Sequence, residues 1–243
     1  RLIAVARVDE SGVHTVTRTA IGGEGTSVYQ QRYPAAGTPN ALVDLYVIKA
    51  DGSGQLKVDM GTDADVYLAR VDWSRDGRTL YVQRESRDQK RLDLIAVDPA
   101  TGKGRVILTE RATSWINLSS NFRPLGDGSF LWWSEKSGHG HLYRVRDGRW
   151  TALTSGNWEV RDVVGVDEAK RLVYFTGNRD TPLEQQLFSA SIDKSGPLNQ
   201  LTSSGWWNDA VMDGAASRAV ITRRNSDQPK QVYLAGNDGR QLQ

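Results

Sequence analysis

A chain of 243 residues can bury a substantial core, and with no linker-like tract it reads as one large all-β domain over residues 1–243 rather than two small ones. Charged residues make up 25% at a net charge of +2 with both signs interspersed, which leaves no basic stripe for nucleic acid, and the absence of cysteine excludes disulfides, thiolate metal sites and cysteine nucleophiles. No apolar run approaches membrane-spanning length, so no membrane contact is expected from this chain, and an opening Arg1 in place of Met leads us to expect an excised piece of a longer protein.

The first segment, "RLIAVARVDES", reads as a strand and matches the later "RTLYVQRES" and "RLVYFTGNR", which come halfway through their own repeats. The chain is therefore expected to start mid-blade. Residues 11–40 exceed what a plain blade needs and are expected to form an insertion, the kind of segment that makes functional or binding loops. Within it "GGEG", Gly22 to Gly25, lacks the strand-to-helix context of a phosphate cradle and reads as a flexible loop. The insertion ends in a proline-punctuated Tyr-Pro loop, "RYPAAGTPN". Next, "LVDLYVIKADGSGQLKVD" alternates apolar and polar residues on both sides of Asp51-Gly52, a hairpin signal, and "ADVYLARVD" alternates with period two rather than 3.6.

From here the chain repeats itself. Hairpins at "DLYVIKADGSGQL", "LDLIAVDPATGKGRVILT", "GHLYRVRDGRWTALT", "QQLFSASIDKSGPLNQLT" and "KQVYLAGNDGRQL" align on Tyr46, Leu94, Tyr143, Phe188 and Tyr233, at intervals of about 48, 49, 45 and 45 residues. Between them lies a second hairpin type, such as "VDWSRDGRTLYVQRES" and "VVGVDEAKRLVYFTGNR", so each repeat holds about four strands. The expected fold is all-β, a partial β-propeller of about four and a half four-stranded blades.

Candidate chemistry is sparse. No G-x-S-x-G sequence occurs, and the histidines are His14, His139 and His141, so no complete serine-hydrolase triad is expected inside this chain. The "HGH" spacing would put His139 and His141 on one side of a strand. A third ligand is missing nearby, and a hairpin-edge pair is the favoured reading over a metal site. We expect no metal and no cofactor. "SRDGRT" at Ser74 has a blade turn as its explanation. Adjacent tryptophans on a strand, Trp132-Trp133 and Trp206-Trp207, send one ring to each side, which favours packing between blades over a stacking surface. The acidic pairs Asp9-Glu10 and Asp167-Glu168 read as solvated turn residues.

The segments "IAVARVDESGV", "RYPAAGTPN", "LYVIKADG", "FLWWSEKSGHGHLYR", "LTSGNWEV" and "VYFTGNRDTPLEQQLF" together resemble the propeller domain of the dipeptidyl peptidase IV family, within the prolyl oligopeptidase-type serine peptidases. The Tyr33-Pro34…Gly37…Pro39-Asn40 and Thr154…Trp158-Glu159-Val160 elements carry most of the likeness. The resemblance implies the later blades of an eight-bladed propeller in a secreted or periplasmic enzyme. It also implies release of N-terminal dipeptides with Pro or Ala second, by a C-terminal α/β-hydrolase domain not in this chain. The glutamate pair and arginine that hold substrate in the family would lie before Arg1, so no catalytic residue is expected here. The chain's expected role is gating and orienting peptide substrates. The alternative is a free-standing propeller that binds a protein partner. One partial carry-over is "NFRP", which follows Trp115 and resembles a segment lining the substrate pocket in some members. It makes Phe122 and Arg123 candidate substrate-facing residues, against the plainer reading that they begin a blade strand. An isolated fragment that starts mid-blade leaves open sheet edges, so it is expected to be able to form a homodimer through its terminal blades.

Overall fold

A computed structural model describes residues 1–243 as 20 strands joined by turns, with no helix, and hence no helix long and apolar enough to cross a membrane. The strands fall in two compact units, Arg1–Ile116 and Asn117–Gln243.

The first unit contains β1 (Leu2–Asp9), β2 (Thr15–Gly22), β3 (Gly25–Arg32), β4 (Leu42–Lys49), β5 (Leu56–Lys57), β6 (Val66–Trp73), β7 (Leu80–Ser86), β8 (Arg91–Val97) and β9 (Gly104–Arg111). They form the sheets β1-β4-β5, β2-β3 and β6-β7-β8-β9, all antiparallel. Period-two alternation explains the packing: Leu45 and Val47 of β4 meet Leu80 and Val82 of β7 and Ile95 and Val97 of β8 in one buried cluster. Each such side chain removed from water stabilises the fold by roughly 1.5–3 kcal/mol.

The insertion folds as a two-stranded hairpin in which no strand residue is fully buried. Gly22 pairs with Gly25, so "GGEG" is the tight two-residue turn of an in-register hairpin rather than the flexible loop its composition suggests. A bare hairpin of this kind is marginal in water, and its base is tied down. Arg32 Nη1 donates to the carbonyls of Glu10, Ser11 and Val13 at 2.8, 3.3 and 3.1 Å. The Tyr-Pro loop is the hairpin's return path: the Tyr33 amide donates to His14 O at 2.9 Å, and Arg87 Nη2 donates to Pro34 O at 3.1 Å and Thr38 O at 3.5 Å. The loop is ordered because the foot of the hairpin hangs on it.

The second unit contains β10 (Arg123–Pro124), β11 (Phe130–Ser134), β12 (His141–Arg146), β13 (Arg149–Ala152), β14 (Val160–Asp167), β15 (Leu172–Gly177), β16 (Gln186–Ser191), β17 (Asn199–Gln200), β18 (Trp207–Met212), β19 (Arg218–Arg224) and β20 (Gln231–Gly236). Two four-stranded sheets, β10-β11-β12-β13 and β14-β15-β16-β17, are followed by the three-stranded β18-β19-β20. The five repeat markers fall on β4, β8, β12, β16 and β20, one in each sheet other than β2-β3. Between the first two sheets lie Leu131, Leu142, Val173, Phe175 and Phe188, with Trp158 stacked on Phe175 at 6.3 Å. Between the second and third lie Tyr174, Leu187, Ile221 and Ala235.

At one end of this unit four charges alternate in a ring. Arg144 of β12 pairs with Asp127 of the β10–β11 turn and with Asp193 at 2.8 Å; Arg171 pairs with Asp193 at 2.6 Å and Asp127 at 3.5 Å. Partial burial pushes the Asp127 carboxyl up, but hydrogen bonds from the Ser129 hydroxyl and amide, with the charges of Arg144 and Arg171, outweigh it and hold the group at about 2. A carboxylate depressed in the folded state adds stability above its unfolded value, and that stability is lost as pH falls from about 4 toward 2. Allowing for solvent screening at a partly exposed site, Asp127→Asn should cost about 1 kcal/mol at pH 7 in urea unfolding, and the two proteins should converge in stability near pH 2.

Candidate functional site

The "NFRP" segment lies where β10 begins. Two register shifts in β14, between Val160 and Val163 and between Val163 and Gly165, interrupt its ladder and free backbone groups. Asn121, 3% exposed, satisfies two of them: its Nδ2 donates to Arg161 O at 2.7 Å and its Oδ1 accepts from the Val163 amide at 2.7 Å. Arg123 adds a third contact, Nη2 to Val163 O at 2.8 Å, while its Nη1 donates to the carbonyls of Ser120 and Phe122 at 2.7 Å each. Phe122 is buried and packs against Phe130 and Trp132, with ring centroids 5.6 and 6.1 Å away. Phe122 thus contributes an aromatic ring to the packing of its own sheet, and Arg123 fastens one sheet to the next.

His139 and His141 do not share a strand face. His139 lies in the turn before β12, because the residues from Glu135 to Gly140 are used to reverse the chain. His141, 1% exposed, has both ring nitrogens engaged: Nδ1 is 3.0 Å from Thr154 Oγ1 and Nε2 is 2.9 Å from Gly156 O. A carbonyl only accepts, so the proton sits on Nε2 and Nδ1 accepts from the threonine hydroxyl. Thr154 Oγ1 also accepts from the Leu142 amide at 3.0 Å. The next blade repeats the arrangement with a carboxamide. Gln186 Oε1 accepts from Thr202 Oγ1 at 2.7 Å, Gln186 Nε2 donates to Trp206 O at 3.2 Å, and Thr202 Oγ1 accepts from the Leu187 amide at 2.9 Å. The imidazole is therefore a structural connector with no lone pair left for a metal or for base catalysis.

The remaining motifs divide similarly. Ser74 and Asp76 close the β6–β7 turn through Ser74 Oγ to Asp76 Oδ1 at 2.7 Å. Of the tryptophans, Trp132 and Trp158 are buried, Trp133, Trp206 and Trp207 are half-buried, and Trp115 is exposed. Asp9 accepts from the Ser11 amide at 2.9 Å, and Glu168 Oε2 from the Gly126 amide at 2.7 Å, so both acidic pairs hold turns. Besides Gln186 and Thr202, two more buried residues escaped sequence reasoning. One is Asn121, whose role depends on irregularities in a strand 40 residues away. The other is Glu85, 2% exposed with Oε1 unpartnered, whose carboxyl is pushed up by burial. Strand parity with Tyr81 and Gln83 would have been its signal.

Comparison with known proteins gives one consistent picture. The family model of the dipeptidyl peptidase IV (DPP IV) N-terminal region matches residues 1–230. A relative in Coccidioides posadasii named "Probable dipeptidyl-aminopeptidase B" is 28% identical over 227 residues, covering 84% of this chain and 24% of the relative. Human "Dipeptidyl peptidase 8" is 25% identical over 293 residues, covering 93% and 33%. The crystal structure of Porphyromonas gingivalis dipeptidyl peptidase 4 superimposes with a TM-score of 0.87 at 24% identity, over 100% of this chain and 35% of that one, and establishes the propeller fold. The chain spans about a quarter to a third of the length of the curated relatives it matches.

The connector roles of His141 and Gln186 make them interchangeable. Burial pushes the imidazole below its ordinary value of 6.5, so the folded state favours the neutral ring, and stability present above that value is lost as pH falls below it. His141→Gln should fold within about 1 kcal/mol of the parent at pH 7.5 and lose less stability between pH 7 and 5. Chemical denaturation at the two pH values checks both, and an unchanged pH slope would contradict the assignment.

Proposed function

Since the chain belongs to the family of dipeptidyl peptidase IV N-terminal regions, we propose that it is the propeller portion of a serine dipeptidyl aminopeptidase that releases N-terminal X-Pro or X-Ala dipeptides. Bond cleavage belongs to an α/β-hydrolase domain carried elsewhere on the polypeptide. The propeller limits access to short or unstructured peptides and orients them, in a periplasmic or secreted setting. The observation that carries this reading is the family match over residues 1–230. Of the chain's three histidines His141 is committed on both nitrogens and so cannot activate a nucleophile. The full-length polypeptide should therefore cleave a Gly-Pro chromogenic substrate, whereas residues 1–243 alone should not. Turnover by the chain alone that survives a serine-directed inhibitor control for contamination would overturn the division of labour.

Within this reading Phe122 and Arg123 act on substrate indirectly, by holding their end of the sheet. Arg123→Ala in the full-length enzyme removes hydrogen bonds to three backbone carbonyls. It should lower stability by about 1–3 kcal/mol and leave KM unchanged. A several-fold rise in KM at unchanged stability would instead place the guanidinium against the peptide.

A further inference from the structure

β10, β14 and β18 are each the first strand of their sheet, with a neighbouring strand on one side only. β18 keeps one register throughout, whereas β14 does not. Val160 pairs with Gly177 and Val163 with Phe175, so Arg161 and Asp162 together stand opposite Thr176, two residues against one. Val160 and Val163 stay in the core at 1% and 3% exposure, and both residues between them are pushed out to solvent, where regular alternation would expose only one.

This bulge is held firmly. Asn121 bonds to Arg161 O and to the Val163 amide, Arg123 Nη2 bonds to Val163 O, and the Asp162 amide donates to the buried Thr176 hydroxyl at 3.3 Å. The Arg161 side chain is turned toward β18, its guanidinium 5.3 Å from the centre of the Trp207 ring. That leaves the Asp162 carboxylate, which has neither a hydrogen bond nor an ion pair. Asp209 occupies the same place in β18, as the third residue of its strand, and there the carboxylate is fully used. It accepts from Arg224 Nη1 at 3.1 Å, from Gln185 Nε2 at 3.1 Å and from Trp207 Nε1 at 3.3 Å.

A charged bulge on an edge strand can serve only to keep two edges from pairing. That purpose needs a charge but no fixed backbone, and here two side chains of the neighbouring sheet's first strand and the link before it are committed to fixing Arg161–Val163. A carboxylate held in place by its backbone, exposed, and without a partner in its own protein is arranged to meet a cation from outside it. We propose that Asp162 is a specificity-determining residue that contacts the peptide substrate and selects a cationic side chain on it, an inference that rests on the function proposed above. Asn121 is then a positioning residue, acting through the bulge. The carboxylate attracts lysine or arginine and repels aspartate or glutamate, so it sorts peptides by charge while the identity of the second residue is read elsewhere.

The test uses the full-length protein and pentapeptides with proline second, in which the first, third, fourth or fifth residue is in turn Lys, Gln or Glu and the rest are Gly. The ratio of kcat/KM for the Lys peptide to that for the Glu peptide should be about five to ten at one of these positions, since one charge is attracted and the other repelled at an exposed carboxylate. Asp162→Asn, a change at an exposed side chain, should bring that ratio close to one. Asp147→Asn removes the same charge from a turn where the side chain is 94% exposed, and should leave the ratio as it is. A parent enzyme that cleaves the Gly-Pro chromogenic substrate but shows no Lys over Glu preference at any position overturns this inference and leaves the proposed function standing. A preference that Asp162→Asn retains overturns it equally, and if that variant also aggregates, the charge guards the strand edge instead. Failure of the full-length parent to cleave the Gly-Pro substrate at all overturns the proposed function, and the inference with it.

Discussion

Each blade sheet of this protein is apolar on both faces, and a sheet of that kind is stable in water only with a neighbour against each of them. In the first unit Leu45 and Val47 cannot be buried without Leu80 and Val82 of the following sheet; in the second, Phe175 and Phe188 need Leu131 and Leu142 on one side while Tyr174 and Leu187 need Ile221 and Ala235 on the other. The alternation of side chains along β15, with Val173 and Phe175 facing one neighbour and Tyr174 the other, makes one strand serve two cores. Repetition is thus a requirement of the chemistry, because a sheet on its own would leave both of its apolar faces wet.

Stacking apolar sheets leaves the ends of the strands as the place where backbone polarity must be settled. Where the site is fully buried the protein does this with neutral side chains, and arginines such as Arg32 and Arg123 take up backbone carbonyls at more exposed positions. Asn121 takes up an amide and a carbonyl left over by the irregular β14, His141 and Gln186 bridge a threonine hydroxyl to a loop carbonyl, and Gln185 and Asn208 bind each other's backbone. A neutral amide can donate and accept at once and has no charge to desolvate, so it costs less to bury than an ion would. The ionic cluster Asp127–Arg144–Asp193–Arg171 gathers three turn residues around Arg144 of β12, where water still reaches it.

These two levels differ in how far they can be read from the sequence. Period-two alternation and a spacing of about 45–49 residues mark the blades because every blade solves the same burial problem with the same residue types. The tight Gly22–Gly25 turn of the β2–β3 hairpin was hidden, since glycines serve flexible loops and tight turns equally well. The ties were hidden for a stronger reason. Nothing local to Asn121 announces that Arg161 O and Val163 N–H will need partners, because that need is created by bulges in a different strand. Likewise the two histidines of "HGH" look alike in sequence, and it is the turn before β12 that puts one in the core and the other outside it. Phe122 and Arg123 were legible as a motif, while the partners that set their roles, Phe130, Trp132 and Val163, lie beyond the motif.

The residues on which the resemblance was read from the sequence are, in the structure, architectural. Tyr33 and Pro34 form the return of the exposed hairpin and are held by His14 and Arg87; Thr154 joins Leu142 to His141; Trp158 stacks on Phe175. None of them presents a nucleophile, a free base or an oxyanion donor. A motif built from such residues records how blades are joined. The chemistry of a peptidase can then vary, or reside on another domain, without disturbing them. That is why membership of the family speaks with most force about the frame.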